Sequence, residues 1–136
     1  MTSKVTYTGN LRTLATHLRS CSSIETDAPV DNHGKGERFS PTDLVATALA
    51  SCMVTTMGIA CQTHNIDIDG AECDVEKIMT TNPRKIGEIK IDMRFPNSKP
   101  FTDKEKKILE TAALNCPIME SLHPDCKKTL NITWPA

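Results

Sequence analysis

Two cysteines stand in settings that could do thiol chemistry. Cys52 lies in the middle of an uncharged, mostly apolar run, and Cys116 directly precedes Pro117, 64 positions further on. The thiolate is the nucleophile, so reactivity depends on what favours that form. Apolar surroundings alone would raise the pKa of Cys52 and leave it inert. A reactive Cys52 needs a cation or a water-accessible cleft, and Arg12, Arg19, Lys35 and Arg38 are the candidate cations outside the run. Cys116 would cap a short helix opened by Pro117, where first-turn N–H groups point at the sulfur and favour the thiolate. The two are candidates for a dithiol–disulfide pair. Asp43 precedes Cys52 by nine residues. At about 100° per residue, that puts it on the opposite helical face, so its first role is as a cap partner rather than a catalytic carboxylate. Pro41, Val45, Ala48 and Leu49 lie closer to the cysteine's side. They would give the thiol an apolar approach, suited to a hydrophobic substrate or to a packed core.

Cys21, Cys61, Cys73 and Cys126 complete the set of six, and no Cys-x-x-Cys pair occurs. Cys61 and His64 form half of a zinc motif, but the spacings to Cys73, Cys116, His123 and Cys126 fit no standard finger. No metal is expected, and these four cysteines read as small buried hydrophobes. The N-terminal residues lack the apolar core of a signal peptide, so reduced thiols and a cytoplasmic location are expected. The net charge is −1, with 16 basic and 17 acidic residues well mixed. That leaves no footprint for nucleic acid or anionic lipid.

The elements that must position the thiols follow from pattern. Ser40 is an N-cap, Pro41 the first helical residue and Asp43 the third, a capping-box layout. The helix then runs to about His64 with no charged side chain between Leu44 and Cys61. Its length is borderline for a membrane span, but its threonines, its alanines and its lack of an aromatic belt or basic flank argue for a buried core helix. A helix that is apolar nearly all round must be covered on most sides. The chain has only five aromatic residues with which to build a core. A homodimer, in which a second copy supplies the cover, is therefore expected. Before the helix, 4–9, 11–18 and 20–27 read as an antiparallel meander, and 28–39 as an ordered loop. After it, 66–79, with a bulge at Asp69-Gly70, and 86–95 read as two strands. Thr102 and Glu105 cap a second helix, Ile118–Leu122 forms a short third, and 129–134 a last strand. The whole of 1–136 is expected to be one domain.

The run Ser40–Cys52, with Asn115-Cys116-Pro117-Ile118-Met119 downstream, Tyr7–Arg12 and the loop Asp27–Ser40, resembles the OsmC/Ohr family of osmotically inducible and organic hydroperoxide resistance proteins. The resemblance implies an α+β fold in which antiparallel sheets wrap a long buried central helix in an intertwined homodimer. It also implies a thiol peroxidase for organic hydroperoxides, acting in oxidative or osmotic stress. Cys52 would be the peroxidatic cysteine and Cys116 the resolving one. Arg12 would activate the thiolate, with Arg38 as the alternative. No bound cofactor is implied. An external dihydrolipoyl-type dithiol, such as a lipoylated protein, would be the reductant. The family's peroxidases carry a glutamate directly after the helix-opening proline, where it holds the arginine. This chain has Thr42 there and Asp43 one position later. That departure motivates the alternative reading, a non-catalytic stress protein of the same fold that binds a small hydrophobic ligand.

Overall fold

A computed structural model describes all 136 residues. The architecture is α+β, and the chain divides into two compact units, Met1–Val45 and Ala46–Ala136.

In the first unit, β1 (Ser3–Gly9), β2 (Arg12–His17) and β3 (Ser23–Asp27) form the expected antiparallel meander. Asn10 and Leu11 join β1 to β2 with both φ positive, at 54° and 63°, the conformation that matches a two-residue hairpin to the strand twist. The register sets Val5 opposite Ala15, Ala15 opposite Ile24, and Arg12 opposite Asp27. Val5, Tyr7 and Ile24 share one face, and all three are exposed. β3 begins at Ser23 rather than Ser20, because the chain turns through 18–22, with Cys21 in the left-handed region. Cys21 is exposed there, which corrects the expectation that it is buried. The loop 28–39 is ordered by its own backbone. Gly34 N–H and Gly36 N–H donate to Pro29 O and Ala28 O, and Asp27 N–H donates to Phe39 O at 3.1 Å. Gly34 packs directly on Ala28, leaving no room for a side chain.

α1 (Pro41–His64) spans 24 residues. Ser40 Oγ accepts from Asp43 N–H and Asp43 Oδ2 accepts from Ser40 N–H, both at 3.0 Å. This is the reciprocal cap that the sequence pattern predicts.

In the second unit, β4 (Glu72–Thr80), β5 (Lys85–Arg94) and β6 (Lys127–Thr133) form one sheet in that order. β4 is antiparallel to β5, but β6 is parallel to it. This corrects the expectation that both sheets are wholly antiparallel. Two helices lie between β5 and β6 in sequence, so the chain returns to the starting end of β5 before pairing. Two further details differ. The ladder begins only at Glu72, because Asp69 and Gly70 form a turn closed by Ala71 N–H to Ile68 O. The bulge falls instead at Gly87, which is skipped where pairing passes from Ile78–Glu88 to Met79–Ile86. α2 (Asp103–Leu114) carries the full capping box of Thr102 and Glu105, and α3 (Pro117–Ser121) follows it.

α1 buries a single stripe of Ala46, Leu49, Ala50, Met53, Met57 and Cys61, at the three-to-four-residue spacing of one helical face. These side chains join one core with Ile89, Ile91 and Met93 of β5 and Leu109 and Ala113 of α2. Phe95, Phe101 and Trp134 close it as an aromatic cluster with centroids 5.3–5.8 Å apart. The other face of α1 is open, and Ile59 is 62% exposed. Near-complete burial of the helix is therefore not achieved within one chain: a three-stranded sheet and a short helix cover only one side of such a rod. By length and composition alone, α1 could also cross a membrane.

Candidate functional site

Cys52 immediately precedes Met53 of the buried stripe, so its thiol sits at the stripe's edge, half-buried against the core. Cys116 is 0% exposed. It is the N-cap of α3, with extended backbone (φ −69°, ψ 149°) before Pro117. That geometry is what a residue preceding proline prefers. Its sulfur accepts the Met119 N–H at 3.4 Å. α1 and the α2–α3 junction thus bring together two cysteines far apart in sequence. The Cys52 side chain lies near enough to act on the Cys116 thiol, and both are free thiols.

Burial pushes the Cys116 pKa up, against the opposing pull of the Met119 N–H, and the Cys52 side chain adds to the rise. The expectation that the helix terminus would favour a Cys116 thiolate is corrected by this balance. One turn of helix offers little, while desolvation of a fully buried sulfur acts at full strength. Burial also raises Cys61, helped by Asp67 and Asp69, and it raises Cys73. Cys61 and Cys126 are buried and Cys73 is half-buried. On α1, Thr56 Oγ1 donates to the Cys52 carbonyl at 2.8 Å.

The predicted cations divide sharply. Arg12 Nε and Nη2 donate to Asp27 Oδ1 and Oδ2 at 2.7 and 2.9 Å, a bidentate pair. Asp27 also accepts the Glu37 N–H at 3.1 Å. The hydrogen bond from Arg12 is the main influence holding the Asp27 carboxyl below its ordinary range, and the same pairing raises Arg12. Arg38 is more exposed, donating to Glu37 O at 3.0 Å and lying 3.7 Å from Glu25. Arg19 and Lys35 are exposed. Asp43 accepts the Ser40 N–H, the cap role its spacing predicts.

Asp27 was not singled out from the sequence. The signal was available: folding 11–18 back on 20–27 about Arg19–Ser20 places Arg12 opposite Asp27. No group of three or more His, Cys, Asp or Glu side chains is arranged to hold a metal. Away from the thiols, a largely apolar groove of about 420 Å³ is lined by His64 of α1 and by Lys104, Lys107, Ile108, Thr111 and Ala112 of α2.

A family model described as OsmC-like protein matches residues 34–131. Among solved structures, a Psychrobacter arcticus protein, provisionally described as an osmotic stress induced and detoxification response protein, is 50% identical, with a TM-score of 0.93 over 98% of this chain and 96% of that one. The organic hydroperoxide resistance protein OsmC of Legionella pneumophila shares the fold at 13% identity, with a TM-score of 0.75 and 98% and 97% coverage. OhrB of Bacillus subtilis, an organic hydroperoxide resistance protein, does so at 19% identity, with a TM-score of 0.64 and 98% of each chain covered. No curated protein sequence matches this chain.

Proposed function

The chain belongs to the OsmC-like family, and from that membership we propose that it is a cysteine-based hydroperoxide reductase acting on organic hydroperoxides. The observation that carries the reading is the neighbouring pair of free thiols, Cys52 half-buried and Cys116 fully buried. In this cycle the Cys52 thiolate attacks the hydroperoxide oxygen distal to the organic group. The O–O bond breaks, the alkoxide leaves and is protonated to the alcohol, and Cys52 becomes a sulfenic acid. The Cys116 sulfur then attacks the Cys52 sulfur, the S–S bond forms, and the hydroxyl leaves with a proton as water. An external dithiol of the dihydrolipoyl type, free or on a lipoylated protein, restores both thiols by exchange and is itself oxidised to a disulfide. Arg12 supplies the positive charge that favours the Cys52 thiolate, with Arg38 as the alternative.

The functional unit of this reading is a homodimer in the cytoplasm. Exposed apolar side chains on α1 (Val45 and Ile59) and on the first sheet (Val5, Tyr7 and Ile24) support the assembly, because surfaces of this kind gain by being covered. Sedimentation equilibrium should report twice the chain mass of 15.0 kDa. A monomer at micromolar concentration sinks that part.

The activity is tested with reduced protein, cumene hydroperoxide and dihydrolipoamide. Steady turnover by the parent and none by Cys52→Ser is the expected result. Equal consumption by the two would refute it. The apolar groove beside His64 favours a second reading, a non-catalytic protein that binds a small hydrophobic ligand. Under that reading, both thiols would survive hydroperoxide treatment.

A further inference from the structure

The groove between the last turn of α1 and the outer side of α2 lies within one compact unit, Ala46–Ala136. Its volume of about 420 Å³ is near the small end of the range for ligand sites. Five of its six lining residues belong to α2, and His64 closes it from α1. Lys104, Lys107, Ile108, Thr111 and Ala112 recur every three or four positions, so they form one stripe along the helix. This stripe runs beside the one that carries Leu109 and Ala113 into the core. At 1.5 Å per residue, the run from Lys104 to Ala112 covers about 12 Å. Its two ends differ in kind. Lys104 and Lys107 are exposed cations, whereas half-buried Ile108 and Ala112, with exposed Thr111, leave a mainly apolar floor.

The two ammonium groups are unneutralised. No ion pair engages Lys104 or Lys107, although Asp103 and Glu110 flank them on the same helix. Like charges one turn apart repel each other. Lys104 also stands in the first turn of α2, where the helix dipole disfavours a cation and favours an anion. An anion set between the two lysines would relieve both effects. A bare hydrocarbon would leave the lysines as they are, and a compact polyanion would leave the floor uncovered. The match is a molecule with one negative end and one apolar length.

We propose that this groove binds a medium-chain aliphatic carboxylate, its carboxylate between Lys104 and Lys107 and its alkyl chain along Ile108, Thr111 and Ala112. This assignment gives a ligand class to the groove behind the second reading above, and it does not depend on whether the thiols turn over.

The test is calorimetric titration of sodium decanoate into the reduced full-length protein in dilute buffer, with backbone amide NMR to locate the ligand. One equivalent should bind with a Kd below about 1 mM, and the shifted amides should be those of His64 and 104–112. Octanoate, two methylenes shorter, should bind about fourfold to fifteenfold more weakly. Decyltrimethylammonium has the same chain and the opposite charge, and it should not bind. Lys104→Gln and Lys107→Gln should each weaken decanoate by about twofold to fivefold. Thr111→Glu sets a competing carboxylate one turn from Lys107 and should weaken it by about tenfold or more. Lys127→Gln makes the same charge change as the lysine variants outside the groove and should leave the affinity as it was. The proposal is overturned if decyltrimethylammonium binds as well as decanoate, if Thr111→Glu keeps the parent affinity, or if the shifted amides lie elsewhere. Groove amides that move with protein concentration but not with decanoate would mean that a second copy fills the groove, and the proposal falls. Cys52→Ser should bind decanoate like the parent, and loss of binding there would place the ligand at the thiols instead. Hydroperoxide turnover without decanoate binding refutes the groove alone, whereas decanoate binding without turnover refutes only the thiol cycle.

Discussion

Treating the reduced protein with one equivalent of organic hydroperoxide should join Cys52 to Cys116 and stabilise the fold. The two thiols are already neighbours, so closing the bond asks little of the backbone around α1 and α3. The loop it closes is 64 residues long. Chain-entropy arguments put the ceiling for such a loop at about 4.3 kcal/mol, and bridges usually deliver about 2–4 kcal/mol. With an unfolding entropy of about 2.1 cal/mol/K per residue over 136 residues, the unfolding midpoint should rise by about 7–14 °C. Three measurements check this together. Thiol titration of denatured parent should fall from six to four, peptide mapping should find Cys52 linked to Cys116, and thermal scans without reductant should show the rise. Cys116→Ser should lose one thiol rather than two and show no rise. The reasoning is refuted if Cys52→Ser also loses two thiols, or if the parent forms the bridge and its midpoint stays where it was.

Four further outcomes follow from the packing, the titrating groups and the exposure of the thiols. Leu49→Ala removes a side chain with 0% exposure at the centre of the α1 stripe. It should cost about 2–5 kcal/mol in urea unfolding, and a loss under about 1 kcal/mol would mean that the core is not packed as described. Asp27 has its pKa depressed in the fold by Arg12, so its contribution is present above its unfolded value of about 3.9 and is lost as pH falls through the folded value. The parent should therefore lose stability in acid with a steeper slope than Asp27→Asn, and equal slopes would contradict the pairing. The raised thiols work in the opposite direction. Cys61, Cys73 and Cys116 favour folding while protonated, so stability should fall above about pH 8.5. At neutral pH, iodoacetamide should label exposed Cys21 well before Cys61 or Cys116, and early labelling of Cys116 would contradict its burial.

Local chemistry was legible in the sequence wherever one side chain decides the structure. Ser40, Pro41 and Asp43 announced the start of α1, Thr102 and Glu105 that of α2, and Cys116-Pro117 that of α3, because caps and proline act within a single turn. Alternation in 86–95 likewise marked the core face of β5. What a pattern in one segment cannot carry is its partner. The parallel pairing of β6 depends on the path of the two preceding helices, and the late start of β4 depends on a turn at Asp69-Gly70 that an alternating run also permits. The exposure of Cys21 depends on a positive φ at a hairpin tip. The candidate site divides in the same way. Cys52 and Cys116 stood out by their helical settings, whereas Asp27 is informative only once the β2–β3 register sets it opposite Arg12.

The balance at Cys116 explains why two similar thiols can hold different roles. A helix terminus pulls its sulfur toward the anion through the Met119 N–H, and burial pushes it the other way. Burial prevails, because the side chain has lost all contact with water and that outweighs the N–H bond from Met119. Cys116 therefore keeps its proton at neutral pH and can donate it toward the Cys52 sulfur. Cys52, at the edge of the stripe, is the one of the pair with any access to solvent. A buried, protonated thiol is slow to meet an oxidant from solution and slow to over-oxidise. It is well placed to act once the neighbouring sulfur has become an electrophile. The Met119 N–H then gains its use, since it stabilises the anion that forms as Cys116 gives up its proton. In the proposed cycle, the order of events is set by the depth of each sulfur below the surface rather than by any difference in intrinsic chemistry between the two cysteines.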